Sequence, residues 1–419
     1  MSYRASPIRG QVHATSEIEI QIDMASLQER VALLTNILPP YLLPVMSELA
    51  RKIGALRIFL SAPMERDRPW NPNWGELDVR LQKSVRLNVR QKYPQGFAAR
   101  VELHLPYDTF TQLLRYRPEV VISAQLGFRT LQSVLYRSLF RRSRLVIWVD
   151  ASEHTEKRVG RLLTILRRTL LRCADAVLVV GKSGRRYLRG LGVSSTRIVE
   201  VPYVADTRLF LASGLQRSAM ETRRLLYVGQ LIARKGILQF LQQLIAWSEC
   251  HASQTCELWL VGDGPLRPQL EALHTPSNLQ VKFFANVSYD HLPGLYAHAG
   301  ICVLPTLADT WGLVVNEALA AGLPVIGSIY SQAVEELIEH GKNGWKYSPD
   351  SPGAAQRVLD QALNSTDSRL AAMRACAYES ANHLTPQYAA SCFLRAIAIA
   401  LSKENGSWAV SDSYMAGQR

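Results

Sequence analysis

At 419 residues, 47% of them apolar, the chain is long enough for two or three packed domains and too apolar for a disordered protein. No uninterrupted apolar run approaches the ~20 residues of a membrane-spanning helix. The six cysteines form no CxxC pair, so free core thiols such as Cys173 and Cys302 fit better than a metal knuckle or a disulfide framework. The formal net charge is +13, and it is lopsided. Residues 1–205 carry 32 Lys and Arg against 17 Asp and Glu, and residues 206–419 carry 16 against 18. The surplus belongs to the first half, where it predicts an anionic partner: a membrane surface, an acidic acceptor or nucleic acid. A solvated basic face without a partner is the plain alternative. No apolar segment follows a basic patch near the start, which predicts a cytoplasmic protein or one resting peripherally on the inner face of a membrane.

In chain order, residues 1–27 are a polar lead-in without period. Strand patterns follow at 30–36 and 55–60, with a helical pattern at 42–53 between them. The loop 64–75 contains two tryptophans, which packing explains better than ligand contact. Residues 85–89 alternate as a strand does. Helical patterns near 106–116, 127–140, 155–173 and 182–191 then alternate with apolar strands at 119–124, 144–150, 175–180 and 197–201. The stretch 203–223 reads as a linker. After it the alternation restarts, with strands at 224–229, 257–262, 280–285 and 301–304 and helices between them. Two such βα series predict two Rossmann-like, doubly wound parallel-sheet domains, 28–202 and 224–384. A final helix at 385–402 could return to the first domain, and 403–419 is a polar tail.

Ligands of such sheets bind outside the carboxyl ends of the strands. Three loops of the second domain fall there. The first, VGQLIARKG (228–236), brings Gly229, Arg234 and Lys235 to a strand-to-helix turn, where a lysine suits a diphosphate. The second is the Gly262-Asp263-Gly264 turn. The third opens DTWGLVVNEALAAGLPV (309–325). Here Asp309 and Thr310 are N-cap types, and Glu317 stands about two turns further on at about 3.6 residues per turn. Separately, each has a bland reading as a cap, a tight turn or a solvated helical acid. Together they ring one cleft with cations, amides and carboxylates.

These motifs resemble a family-4-type retaining glycosyltransferase of the GT-B fold, covering about residues 225–330. The first domain is similar more loosely, through DAVLVVGKSGRRYLRGLG (175–192) and VPYVADTRLF (201–210). The resemblance implies two domains facing a central cleft and a nucleotide-sugar donor held by the second. Lys235 would neutralise the donor diphosphate, helped by Arg234. Glu317 would bind the ribose hydroxyls, and Asp309 the sugar hydroxyls, beside Thr310 and the amides of Trp311 and Gly312. Backbone near 286–288 would meet the base. The anomeric configuration would be retained by same-face attack, with no enzymic nucleophile. Three departures stand out. Gln230 replaces a common arginine, Asp309 replaces the commoner glutamate, and Pro39-Pro40-Tyr41 follows the first strand in place of a glycine-rich loop.

No Asp-x-Asp motif or metal-ligand cluster occurs, so neither a metal nor a resident cofactor is expected. On the acceptor side, His154 follows a strand and shares its loop with Asp150 and Glu153. The acceptor is expected to be a glycan or a lipid-linked saccharide in polysaccharide or glycolipid biosynthesis. The helix at 155–173 has a leucine-rich side and arginines at helical spacing. Core packing is its commoner use, and an anionic membrane surface is the other. The competing readings are a sugar-nucleotide epimerase of the same fold and a basic nucleic-acid- or membrane-binding protein. No nucleic-acid module is recognisable.

Overall fold

The computed structural model describes residues 27–64, 73–93, 96–156, 160–211, 215–285 and 287–402. Residues 1–26 of the lead-in, the tail, Trp70, Arg158 and Asn286 lie outside the described residues.

The first domain runs β1 (Leu27–Thr35), α1 (Leu43–Ala50), β2 (Ile53–Leu60), β3 (Asp78–Leu81), β4 (Ser84–Lys92), β5 (Ala98–Pro106), α2 (Thr109–Tyr116), β6 (Val120–Ala124), α3 (Phe128–Leu139), β7 (Arg144–Val149), α4 (Arg161–Arg172), β8 (Ala176–Val179), α5 (Gly181–Gly190) and β9 (Ile198–Glu200). Two short helices, α6 (Arg208–Leu211) and α7 (Ala219–Thr222), interrupt the expected linker.

The second domain runs β10 (Arg224–Val228), α8 (Ile237–Cys250), β11 (Cys256–Val261), α9 (Arg267–Glu271), β12 (Leu279–Phe284), α10 (Leu292–Ala297), β13 (Ile301–Leu304), α11 (Leu313–Ala320), β14 (Val325–Ser328), α12 (Gln332–Leu337), β15 (Gly344–Tyr347), α13 (Ala354–Leu363) and α14 (Asp367–Ser380). Last comes α15 (Pro386–Leu401).

Each domain holds one parallel sheet, ordered β3-β2-β1-β6-β7-β8-β9 in the first and β12-β11-β10-β13-β14-β15 in the second. The central strands read as near-continuous apolar runs, such as residues 145–149 and Ile301–Leu304, because helices cover both faces. Chain order reverses at β1, flanked by β2 and β6, and at β10, flanked by β11 and β13. The carboxyl ends of strands at such a switch point leave a crevice. The fold is GT-B: two doubly wound domains.

The first sheet carries α2 to α5 on one face and α1 with α15 on the other. α15 starts at a Thr385 cap and Pro386, then lays Phe393 edge-on against Trp148, ring centroids 5.1 Å apart. The last helix thus completes the core of the first domain. The domains also touch at α5 and α12, where the Gly184 amide donates to Gln332 Oε1 at 3.0 Å and Arg186 pairs with Glu335 at 2.5 Å.

Several expectations are corrected. The alternating run at 85–89 is one strand of an antiparallel ribbon with β5, in which Leu87 faces Leu103. The helix read at 155–173 begins at Arg161 and does not bury its leucine side: Leu162, Leu163, Ile165 and Leu166 are exposed, and only Leu170 and Leu171 enter the core. Cys302 is buried as expected, whereas Cys173 is half-buried.

Candidate active site

The three loops of the second domain are locked together by close backbone approach. A Cβ on Gly236, whose φ is +66°, would stand 2.1 Å from the Pro305 carbonyl oxygen. One on Gly262 would stand 2.1 Å from the Gly229 carbonyl oxygen. Glycine is required at both places, and the two contacts fix the loop after β10 against those after β13 and β11. The Leu231 amide donates to the Asp263 carbonyl at 2.9 Å, and the Gly264 amide donates to the Asp263 carboxylate at 2.7 Å. Asp263 therefore stabilises its own turn.

This packing makes residues 74 positions apart into neighbours. Lys235 Nζ donates to Asp309 Oδ2 at 2.5 Å. Arg234 Nη1 lies 3.6 Å from the other carboxylate oxygen and donates to the Ala308 carbonyl at 3.0 Å. All three side chains are largely shielded, so their charges act in a medium of lower effective dielectric than water. Asp309 is no helix cap. Gly312, with φ +103°, occupies the N-cap position of α11, which frees the carboxylate to pair with the cations. Trp311 is buried, its indole N–H donating to Asn316 Oδ1 at 2.9 Å. Asn316 in turn donates to the Tyr203 carbonyl at 3.0 Å, tying α11 to the segment that leaves the first domain. The Thr310 carbonyl accepts from Gln332 Nε2 at 2.7 Å.

Glu317 sits deeper than a solvated helical acid would. It is buried, and Tyr296 donates to its Oε2 at 2.8 Å. Burial pushes its pKa up to about 6, against the pull of hydrogen bonds from Tyr296 and Tyr289. Tyr296 lies in the core, whereas Tyr289 is partly exposed, its ring edge-on to Phe210. Sequence reasoning missed both tyrosines. Their seven-residue spacing, which puts two side chains on one helical face, was the available signal.

On the opposite side, the His154 ring lies 4.7 Å from that of Tyr330, and the Tyr330 carbonyl accepts from the Asp309 amide at 3.1 Å. The structure therefore brings His154 of the first domain to the edge of the Asp309 loop. Glu153 Oε1 lies 3.8 Å from His154 Nε2 and pairs with Arg186 at 2.5 Å. Asp150 directly follows β7, and burial raises its pKa. Among the described residues, no cluster of three or more His, Cys, Asp or Glu stands ready to hold a metal ion.

Two doubly wound domains, with a cation–carboxylate cluster at one switch point and a buried acid behind it, make up this GT-B architecture. The family description "Glycosyl transferase 4-like domain" matches residues 38–204, and "Glycosyl transferases group 1" matches residues 222–365. The chain belongs to this group 1, family-4-like glycosyltransferase family. It is 27% identical to an alpha-D-kanosaminyltransferase of Streptomyces kanamyceticus over 46% of this chain and 53% of that protein. It is 33% identical to a GDP-mannose-dependent phosphatidylinositol dimannoside mannosyltransferase of Mycobacterium tuberculosis over 35% of this chain and 39% of that one. The chain thus spans about half or less of the length of these relatives. Anabaena HepE in complex with UDP superposes with a TM-score of 0.64 at 15% identity, over 88% of this chain and 99% of that one.

Proposed function

We propose that this protein is a retaining glycosyltransferase that moves a sugar, of hexose type, from a nucleoside diphosphate donor to a hydroxyl of a glycan or lipid-linked acceptor. The observation that carries the reading is the convergence of Lys235 and Arg234 on Asp309 at the second-domain switch point. A binding site for a sugar diphosphate needs cations for the phosphates and a carboxylate for the hydroxyls, and here they arrive pre-assembled. Charge accumulating on the departing diphosphate is the main barrier. Lys235, Arg234 and the amides at Trp311 and Gly312 would counter it, without help from a metal or resident cofactor. Asp309, released from Lys235 by the incoming phosphates, would turn to the sugar hydroxyls. Glu317, ionised above its pKa of about 6, would accept from the ribose hydroxyls.

In same-face attack, the acceptor oxygen bonds to the anomeric carbon as the bond to the phosphate oxygen breaks. The acceptor proton passes to that phosphate oxygen, so the protein need supply no nucleophile. His154, against Tyr330, would position the acceptor or the sugar. The phosphatidylinositol dimannoside mannosyltransferase among the relatives supports a lipid-linked acceptor, which a cytoplasmic enzyme would meet at the inner membrane face. Nothing in the family match favours the epimerase reading.

A thermal-shift screen over nucleoside diphosphates and their sugars tests the donor site. A binder raises the unfolding temperature in step with the logarithm of its excess over Kd. With the donor so found, Lys235→Ala and Glu317→Ala should each lower kcat/KM by about a hundredfold or more. Near-normal turnover in both, or no stabilising nucleotide in the panel, would overturn the assignment.

A further inference from the structure

One side of the first domain is built inside out. α3 turns Arg129, Thr130, Gln132, Ser133 and Tyr136 inward and presents Phe128, Leu131, Leu135 and Leu139 to solvent. The polar inner face is bonded. Gln132 accepts from the Phe110 amide at 3.1 Å and donates to the Pro106 carbonyl at 2.6 Å, and Ser133 donates to the Arg129 carbonyl at 2.9 Å. Rotating the helix to hide its leucines would break the two Gln132 bonds and strand buried polar groups.

α3 lies between β5 and α4, and both neighbours repeat the inversion. On the β4–β5 ribbon, Leu87 faces Leu103 and Val89 faces Val101. All four side chains are exposed, while His104 on the opposite face is buried. A lone two-stranded ribbon is marginal in water, and this one has its apolar face uncovered. In α4, Leu162 is 82% exposed and Ile165 59%. Monomeric proteins rarely show contiguous apolar patches above a few hundred Å² (about 300–600 Å² at most) without a partner for them.

The charge on these elements says which partner. Residues 84–106, 127–144 and 160–173 together hold 13 Lys and Arg and one acid, Glu102. Some of these cations are paired or buried: Arg86 lies 3.7 Å from Glu102, Arg137 pairs with Asp175, Arg167 pairs with Glu156, and Arg129 and Arg144 are buried. Arg90, Arg141, Arg142, Arg161, Arg168 and Arg172 remain exposed among the leucines.

We propose that the β4–β5 ribbon, α3 and α4 form one face that seats this protein on an anionic lipid bilayer. The leucines and valines enter the boundary between headgroups and acyl chains, and the exposed arginines meet the lipid phosphates. A second copy of the chain is a poor occupant, because two such faces would press like charges together. Nucleic acid would meet the arginines but leave the aliphatic side chains against a charged backbone.

The ribbon also links this face to the cleft. At its far end, Tyr93 and Phe97 stack with ring centroids 4.6 Å apart. Burial raises the Tyr93 pKa, and the nearby positive charge of Arg234 opposes the rise. A lipid-linked acceptor could therefore be met at the cleft without leaving the bilayer. That route rests on the proposed glycosyl transfer; the docking itself does not.

Co-sedimentation with phosphatidylcholine vesicles, with and without phosphatidylglycerol, reads the docking independently of turnover. The wild-type protein should pellet with the anionic vesicles, remain in solution with phosphatidylcholine alone, and be largely released by high salt. The triple variant Arg141→Glu, Arg142→Glu, Arg161→Glu should bind at least about a hundredfold more weakly. The pairs Leu162→Gln with Ile165→Gln, and Leu87→Gln with Leu103→Gln, should each lose about tenfold or more. Unfolding temperatures should hold, because these side chains are already in solvent. Wild-type protein that ignores anionic vesicles, or variants that pellet as well as wild type, would overturn the proposal. So would a wild-type dimer in sedimentation velocity that the apolar variants abolish, since it would assign the face to a second copy.

Discussion

Glu317 carries two opposed demands. Its carboxylate must be ionised to accept from a ligand, yet it sits where burial raises its pKa to about 6 from an ordinary 4.5. Below pH 4.5 the group is neutral in folded and unfolded chains alike, and its burial costs nothing. As pH rises from 4.5 to about 6, the unfolded chain gives up a proton that the folded chain keeps, so stability falls. By neutral pH the loss is on the order of 2 kcal/mol. Glu317→Gln should therefore raise the unfolding temperature of the ligand-free protein by a few degrees at pH 7.5 and not at pH 4.5, while cutting kcat/KM. A variant that melts earlier than wild type at pH 7.5 would count against this account. In the wild type, donor KM should climb as pH falls below about 6. Gly236 gives a second prediction at this scale. Gly236→Ala must strain a +66° φ and move the Pro305 carbonyl, with a cost of roughly 1–3 kcal/mol. Because Lys235 is the preceding residue, donor affinity should fall along with the unfolding temperature.

Among the elements, α15 belongs in space to the domain it does not adjoin in sequence. Phe393, Ile397 and Ala400 are fully buried with Val31, Met46 and Trp148. Phe393→Ala should destabilise the first domain by about 3–5 kcal/mol, lowering the denaturant midpoint followed by tryptophan fluorescence and leaving nucleotide binding by the folded protein intact. A variant with an unshifted midpoint would count against α15 as a structural part of the first domain.

The alternation of strands and helices was legible because parallel strands buried on both faces read as plain apolar runs. Which face of α3 or of the β4–β5 ribbon turns inward was not. A period of two or of 3.6 residues (about 100° per residue) locates an apolar side without saying whether it meets a core or the solvent. For α4 the general preference for core packing gave the wrong side. Similarly, Lys235, Asp309 and Glu317 could be read as site residues from their loops. That Asp309 binds Lys235 and is not a cap depends on β10 pairing with β13, and Glu317 is enclosed with tyrosines 21 and 28 residues upstream.

For the whole molecule, the lopsided charge and the two-sheet architecture divide the work. The second domain gathers the cation–carboxylate cluster. The first carries the basic apolar face and offers His154 to the cleft. Contact between them runs through α5 and α12, with Arg186 bridging Glu153 and Glu335. Arg186→Ala should loosen this contact while leaving each domain's core intact. Small-angle scattering should then report a larger radius of gyration in the absence of nucleotide. An unchanged radius would mean that the Gln332 and Glu336 contacts with α5 suffice.

Gln332 reaches both ways, accepting from the Gly184 amide of one domain and donating to the Thr310 carbonyl in the loop beside Asp309. One side chain thereby makes domain position and loop position thermodynamically conjugate. Whatever part of a donor's binding free energy at the 309–312 loop depends on the domains being apposed must appear, with the same magnitude, as a donor-induced preference for the apposed domains. A compound that wedged α5 away from α12 would then lower donor affinity without entering the cleft, and saturating donor would expel the wedge by the same factor.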